Sequence, residues 1–385
     1  MNSNQSFVFY APGNFGLGQT VRAIRLAEMV AKHAPRSTIT VITSIPHIQR
    51  LFHQNERLKF VVPKSLIALR EELRRDPEAP RLTSLVSDAT ASIDRLFRRA
   101  NPDALVTMSH RGLAGELAPL LAPLGRSGCR RVLALRDIYS PPQFRQDFQL
   151  LGPSEIDAVL VGATPEAERW LPSGLLSGPM SERVRYVGYV APDVECYGFA
   201  PPPSSGSILC QVGGGRDGRA LVEAVASAIE AARPLVGESL ELELSTGPLM
   251  PVEDAARVAA LASAHTRVTD WRPTAALFED RRVPTPRLVI SMSGYNSCVE
   301  AACSGVSTLL VPRIDASDRE QEIRASLFSD WFPNIEVSSM ADLQSQVVRC
   351  LASTPRELDL HEGTGHLRSG FFAHPSEVSQ TILGG

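Results

Sequence analysis

Short apolar runs rich in β-branched residues recur along the chain, and most lead into a small-residue loop and then into apolar positions at helical spacing. The first run, residues 7–11 (FVFYA), enters the loop PGNFGLGQ, after which Val21, Ile24, Leu26, Ala27 and Val30 recur at helical intervals. That order predicts strand, glycine loop, helix. Residues 38–43 (TITVIT) are β-branched throughout, the pattern of a parallel strand buried on both faces. Runs at 60–62, 104–108, 131–135, 158–161 and 184–187 predict further strands, and helical spacing covers 65–99 and 112–124. The charged stretch REELRRDPEAPR inside 65–99 is expected to be solvated. Strands alternating with helices imply a parallel sheet with right-handed crossovers.

The pattern breaks at 197–207 (YGFAPPPSSGS), where three consecutive prolines with Ser and Gly mark a linker. It then restarts. Residues 208–212 (ILCQV) predict a strand, GGGRDG a glycine loop and 220–232 a helix. Strands follow at 240–245, 266–269, 288–291 and 308–311, with helices at 257–264 and 297–304. The expected architecture is α/β: two Rossmann-like parallel-sheet domains, 1–196 and 208–385, facing a cleft, with the chain end free to pack back on the first domain. Ligands of such sheets bind beyond the carboxyl ends of the strands.

Composition narrows the function. At 385 residues, 43% hydrophobic and 21% charged, the chain is long enough for two ordinary globular domains. A net charge of −3 gives no global basic field, which argues against nucleic acid as a partner. Of 39 basic residues only Lys32, Lys59 and Lys64 are lysine, so a single arginine carries little signal. Cys129, Cys196, Cys210, Cys298, Cys303 and Cys350 form no CxxC and no zinc or disulfide spacing. They are expected to be reduced, half-buried thiols of a cytoplasmic protein. The start, MNSNQSFVFYAPG, lacks a basic region and a long apolar core, so it does not read as a signal peptide. No apolar run approaches the ~20 residues needed to span a bilayer.

Three loops carry candidate chemistry. In GGGRDG (213–218) the glycines let backbone approach a phosphate, and the following helix start supplies N–H groups. The same glycines also serve a tight turn with no ligand. The loop matches GxGxxG, but the next strand ends Leu244-Ser245-Thr246-Gly247 without the carboxylate that a dinucleotide ribose requires. No cofactor is expected on that account. In the first half Asn14, Gly16, Gly18 and Gln19 form the corresponding loop, and its glycines equally serve a close strand–helix turn. The third loop, Ser291-Met292-Ser293-Gly294-Tyr295-Asn296-Ser297, precedes Glu300, a carboxylate placed to accept two hydroxyl hydrogen bonds or simply to favour the helix dipole.

The stretch SMSGYNSCVEAACSGVSTLLVPR…DREQEIRAS resembles the C-terminal half of GT-B glycosyltransferases of the family 28 type, the peptidoglycan N-acetylglucosaminyltransferase group. FGLGQTVRAIRLAE, GLAGELAPLLAPLG and LALRDI resemble a bacterial group of glycosyltransferases of that superfamily. The resemblance covers roughly residues 7–330 and implies a nucleotide-sugar donor, a UDP-sugar first, held by the second half. Gly214 and Gly215, with Ser293, Gly294, Asn296 and Ser297, would line the diphosphate, Glu300 the ribose, Gln321 the sugar and Trp271-Arg272 the base, with Arg216 among the donor-binding residues. The first half would take a small-molecule or lipid-linked acceptor. Peripheral membrane contact would use Leu66, Ile67 and Leu69 beside Arg70, Arg74 and Arg75.

This chain departs from the pattern in carrying Gln19 where the family usually has His, and glutamine cannot act as a base. The resemblance implies inverting transfer, and the absence of any Asp-x-Asp fits a reaction without metal. Two residues ending strands of the first sheet are the candidate bases, Asp137 first and His110 second; pairing of Asp137 with Arg136, or a loop His110 without a role, are the plain alternatives. Two rival readings are a nucleotide-sugar 2-epimerase and a non-catalytic partner of the same fold.

Overall fold

A computed structural model describes residues 5–13, 16–46, 48–52, 56–139, 148, 154–192, 205–236, 240–271, 285–315, 318–352 and 370–384. The chain divides into two compact units, Met1–Val190 with Leu367–Gly385, and Ala191–His366.

The first unit holds β1 (Ser6–Ala11), β2 (Thr38–Thr43), β3 (Leu58–Val61), β4 (Ala104–Thr107), β5 (Arg130–Leu135), β6 (Ala158–Val161) and β7 (Val184–Tyr186). They pair in parallel in the order β3-β2-β1-β4-β5-β6-β7. The second unit holds β8 (Ser205–Gln211), β9 (Glu241–Thr246), β10 (Thr266–Asp270), β11 (Pro286–Ser291), β12 (Thr308–Leu310) and β13 (Ile335–Val337), also parallel, in the order β10-β9-β8-β11-β12-β13. The expected class, two Rossmann-like parallel sheets, is therefore observed. In each sheet the order reverses beside its first strand, between β1 and β4 and between β8 and β11. Such a reversal opens a crevice at the carboxyl ends, the usual ligand position.

The helices that bear on the sites are α1 (Gly18–His33), α2 (Lys64–Arg75), α3 (Leu82–Ala100), α4 (His110–Ala114), α5 (Ala118–Arg126), α6 (Arg219–Val236), α7 (Val252–Ala259), α8 (Tyr295–Ser304), α9 (Glu320–Trp331), α10 (Leu343–Ala352) and α11 (Pro375–Leu383). In the second unit Val222, Val225 and Ile229 of α6 and Val347 and Leu351 of α10 pack with Ile208 and Leu242, all at most 2% exposed. Burying each such side chain contributes roughly 1.5–3 kcal/mol, so the strand ends beneath the loops are firmly held.

Several elements differ from the sequence reading. The helix expected over 65–99 is two, α2 and α3, broken where Pro77 and Pro80 remove backbone donors. The surface patch expected on α2 is not one. Leu66 and Leu69 are 0% exposed and Arg70 is 2% exposed, because this face of the helix turns into the core. The helix expected at 257–264 begins at Val252, where Pro251 precedes it and Glu253 and Asp254 occupy its first turn. Strand β13 was not foreseen.

The chain end returns to the first unit. Val378 and Ile382 of α11 are fully buried, and Tyr189 stacks on Phe371 at 4.9 Å. Tyr189 N–H donates to the Phe371 carbonyl at 2.7 Å, and Ala373 N–H donates back to Tyr189 at 2.9 Å. Gly188 has φ +83, and a Cβ there would come within 2.7 Å of Phe372 backbone, so glycine is required where the returning chain passes. Among the described residues no helix is long and apolar enough to cross a membrane.

Candidate functional site

In the second sheet Gln211 at the end of β8 pairs with Ser291 at the end of β11, so the loops after them emerge side by side. Ser291 Oγ donates to the Gln211 carbonyl at 2.8 Å, tying the two ends together. The first loop turns through Gly213 (φ +56) and Gly215 (φ +86), conformations that suit glycine. It lies against the loop after β9. A Cβ on Gly247 would fall 2.2 Å from Gly214 and Gly215 backbone, so only a glycine pair permits this approach. Gly215 N–H donates to Val212 and Leu249 N–H to Gly214, fixing the turn before α6 begins at Arg219.

The second loop leads to α8, which Gly294 caps without a side chain. Its first N–H groups have no acceptor within the helix, and the dipole there favours anions. Ser293 is fully buried, and its Oγ donates to the Gln321 carbonyl at 2.9 Å. Arg324 of α9, also fully buried, donates to the Ser293 carbonyl at 3.1 Å. The side chain of Gln321 accepts the Arg313 backbone N–H at 3.0 Å, and Arg313 pairs with Asp217 of the glycine loop at 3.0 Å. A polar chain thus runs from the glycine loop through Arg313 and Gln321 to the Ser293 turn. Sequence reasoning assigned no role to Asp217, Arg313 or Arg324; the partners of Arg313 and Asp217 lie 96 positions apart.

The other residues proposed for a donor sit around this edge. Gly214, Arg216, Gly294 and Asn296 are partly exposed. Ser297 lines a narrow crevice with Gln211, Ser291 and Thr308. Glu300 is the sixth residue of α8 and only 7% exposed. Trp271 follows β10, two strands away from β8, and is half-buried. Arg272 and Asn14 lie outside the described residues.

The carboxyl edge of the first sheet is built differently. Beneath it, Tyr10 of β1 donates to Glu116, which also pairs with Arg70 of α2; both charged residues are 2% exposed. Burial, then Glu116, pushes the Tyr10 phenol well above its ordinary range. Gly16 and Gly18 precede or open α1, and Gln19 follows with its amide oxygen buried and without a hydrogen-bond partner. After β4, Ser109 caps α4 by accepting the Gly112 N–H at 3.0 Å, which sets His110 as the first helical residue. The His110 ring meets the Tyr139 ring edge-on at 6.2 Å, and the Arg136 guanidinium lies over the Tyr139 ring at 4.9 Å. Burial, then Arg111 and Arg136, brings the imidazole down to about 3, so it is neutral at physiological pH. Asp137 follows β5 and is 0% exposed; His110 keeps partial exposure.

The five described cysteines are free thiols. Burial raises Cys129 and Cys210 to about 12 and Cys350 to about 11, leaving them poor nucleophiles. Cys196 lies outside the described residues.

No family model matches the chain. It is 32% identical over 135 residues to a UDP-N-acetylglucosamine--N-acetylmuramyl-(pentapeptide) pyrophosphoryl-undecaprenol N-acetylglucosamine transferase of Rhodopseudomonas palustris, a match covering 34% of this chain and 35% of that protein. It is 30% identical over 166 residues to the transferase of the same name from Bradyrhizobium sp., covering 42% and 43%. The matches thus span less than half of either relative. In three dimensions the chain superposes on Acinetobacter baumannii MurG with TM-score 0.54 and 14% identity, over 99% of this chain and 100% of that one. It superposes on Arabidopsis thaliana UGT89C1, solved with UDP-L-rhamnose, with TM-score 0.59 and 15% identity, over 99% of each. The two parallel sheets, the loops at their carboxyl edges and these likenesses converge: the chain has the GT-B glycosyltransferase fold and is similar in sequence to the N-acetylglucosaminyltransferases of the family 28 type.

Proposed function

We propose that the chain is a glycosyltransferase that moves a sugar from a nucleotide-diphosphate donor, a UDP-sugar first, to an acceptor bound by the first unit. The observation that carries this reading is the pairing of the glycine loop after β8 with the Gly294-capped start of α8 after β11, on adjacent strand ends. The named activity of the curated relatives supports it.

A departing nucleoside diphosphate gains negative charge as the glycosidic bond breaks. Backbone N–H groups of 213–218 and the starts of α6 and α8 are suited to receive that charge without reorganising. On this reading Glu300 meets the ribose, Trp271 the base, and Gln321, whose amide oxygen is engaged by Arg313, offers its amide nitrogen to a sugar hydroxyl. The acceptor hydroxyl attacks the anomeric carbon opposite the diphosphate, in a single displacement that inverts the centre. Its proton passes to a base of the first unit, for which Asp137 and His110, each following a strand of that sheet, are the candidates. No metal enters this scheme, because helix starts supply the countercharge. The relatives are named for an undecaprenol-linked acceptor, so a lipid-linked hydroxyl heads the acceptor classes, with small-molecule hydroxyls second.

Thermal shifts with UDP, dTDP and GDP, followed by nucleotide release from the matching sugars in the presence of EDTA, test the reading. We expect a rise in Tm with UDP and slow UDP release to water or an added acceptor, unaffected by EDTA. No shift with any nucleotide contradicts donor binding. Turnover abolished by EDTA and restored by magnesium contradicts metal independence.

A further inference from the structure

We propose that Arg313 is a diphosphate-binding residue held in reserve by Asp217, so that donor binding exchanges one anionic partner of its guanidinium for another. This rests on the donor reading above and adds two residues to it.

The strand order places β11 between β8 and β12. Arg313 follows β12 and Asp217 follows β8, yet their side chains meet at 3.0 Å. Neighbouring strands lie about 4.8 Å apart, so the pair bridges two strand spacings, roughly 10 Å. It therefore joins loops on either side of β11, and through Gln321 the Arg313 backbone is linked to the Ser293 turn that starts α8. The Arg313 backbone is anchored, with its N–H on Gln321 at 3.0 Å, so the side chain can change partner while its base stays fixed.

Arg313 is also incompletely satisfied. Its Nε is buried with no acceptor, its second carboxylate, Asp315, is 3.8 Å away, and Asp217 is 51% exposed at the side chain. Ion pairs of such exposure are weak. A diphosphate offers several oxygens in a geometry that matches the guanidinium fork, and an arginine–phosphate contact is stronger than an exposed carboxylate pair. Asp217, in turn, competes with the diphosphate for Arg313 and repels it. The two residues should therefore affect binding with opposite sign, which a purely structural brace would not do.

Calorimetric titration with UDP and with uridine, on wild type, Arg313→Ala, Asp217→Asn and the double variant, tests this, with matched Tm values as the control for folding. Arg313→Ala should weaken UDP roughly 10- to 100-fold and leave uridine unchanged. Asp217→Asn should tighten UDP about two- to fivefold, and the double variant should follow Arg313→Ala. The proposal is overturned if Arg313→Ala leaves UDP affinity intact, if uridine weakens equally, or if Asp217→Asn weakens UDP. Failure of wild type to bind UDP or uridine removes the donor reading itself, an outcome distinct from a wild type that binds and variants that do not differ.

Discussion

After β8 the chain turns through Gly213 and Gly215 against Gly247, and the charges nearby are an exposed arginine and aspartate that face one another. After β1 and β4, in a sheet of the same order with one further strand, Arg70 pairs with Glu116 under Tyr10, Asp137 has no exposed surface, and a histidine of suppressed proton affinity sits with the partly exposed Arg111 and Arg136. On the proposed reading one topology supports two chemistries. The second unit would meet an anionic ligand with backbone N–H groups and Arg313, while the first buries Arg70 with Glu116 and sets a neutral imidazole beside the partly exposed Arg111 and Arg136.

The largest effect is expected where charge is most deeply buried. Arg70→Ala leaves Glu116 without its cation in the core and should destabilise the protein by ~3–5 kcal/mol in urea unfolding. A loss below about 1 kcal/mol, the range of an exposed pair, would mean that the first unit does not depend on this pair.

A smaller effect is expected from His110. In the fold its imidazole stays neutral down to about 3, whereas an unfolded histidine protonates near 6.5. Between those values the unfolded chain binds the additional proton, so stability falls as pH drops from about 6.5 toward 3. His110→Gln should reduce that loss, seen as a smaller difference in urea midpoint between pH 7 and pH 4.5. An identical pH dependence in the variant would contradict the suppressed affinity.

Both sheets were legible in the sequence because parallel strands buried on two faces read as continuous β-branched runs such as TITVIT. β13 was not, since only two apolar residues, Ile335 and Val337, on either side of Glu336 mark it. The glycine loops were legible because each sits between a strand and a helix. The misreading of Leu66, Leu69 and Arg70 as surface has a physical cause. Arg70 looks solvated beside Arg74 and Arg75, and its partner Glu116 lies 46 positions away. The Asp217–Arg313 bridge was hidden for the same reason, since sequence shows residue types and not which loops a strand order brings together.

Hydrogen exchange with and without saturating UDP measures the contrast between the two edges directly. The account predicts slowed exchange in 213–218 and 292–298 of the second unit, with 12–18 and 108–112 of the first unit unchanged until an acceptor is added. Slowed exchange at 12–18 and 108–112 with none at 213–218 and 292–298 would contradict it.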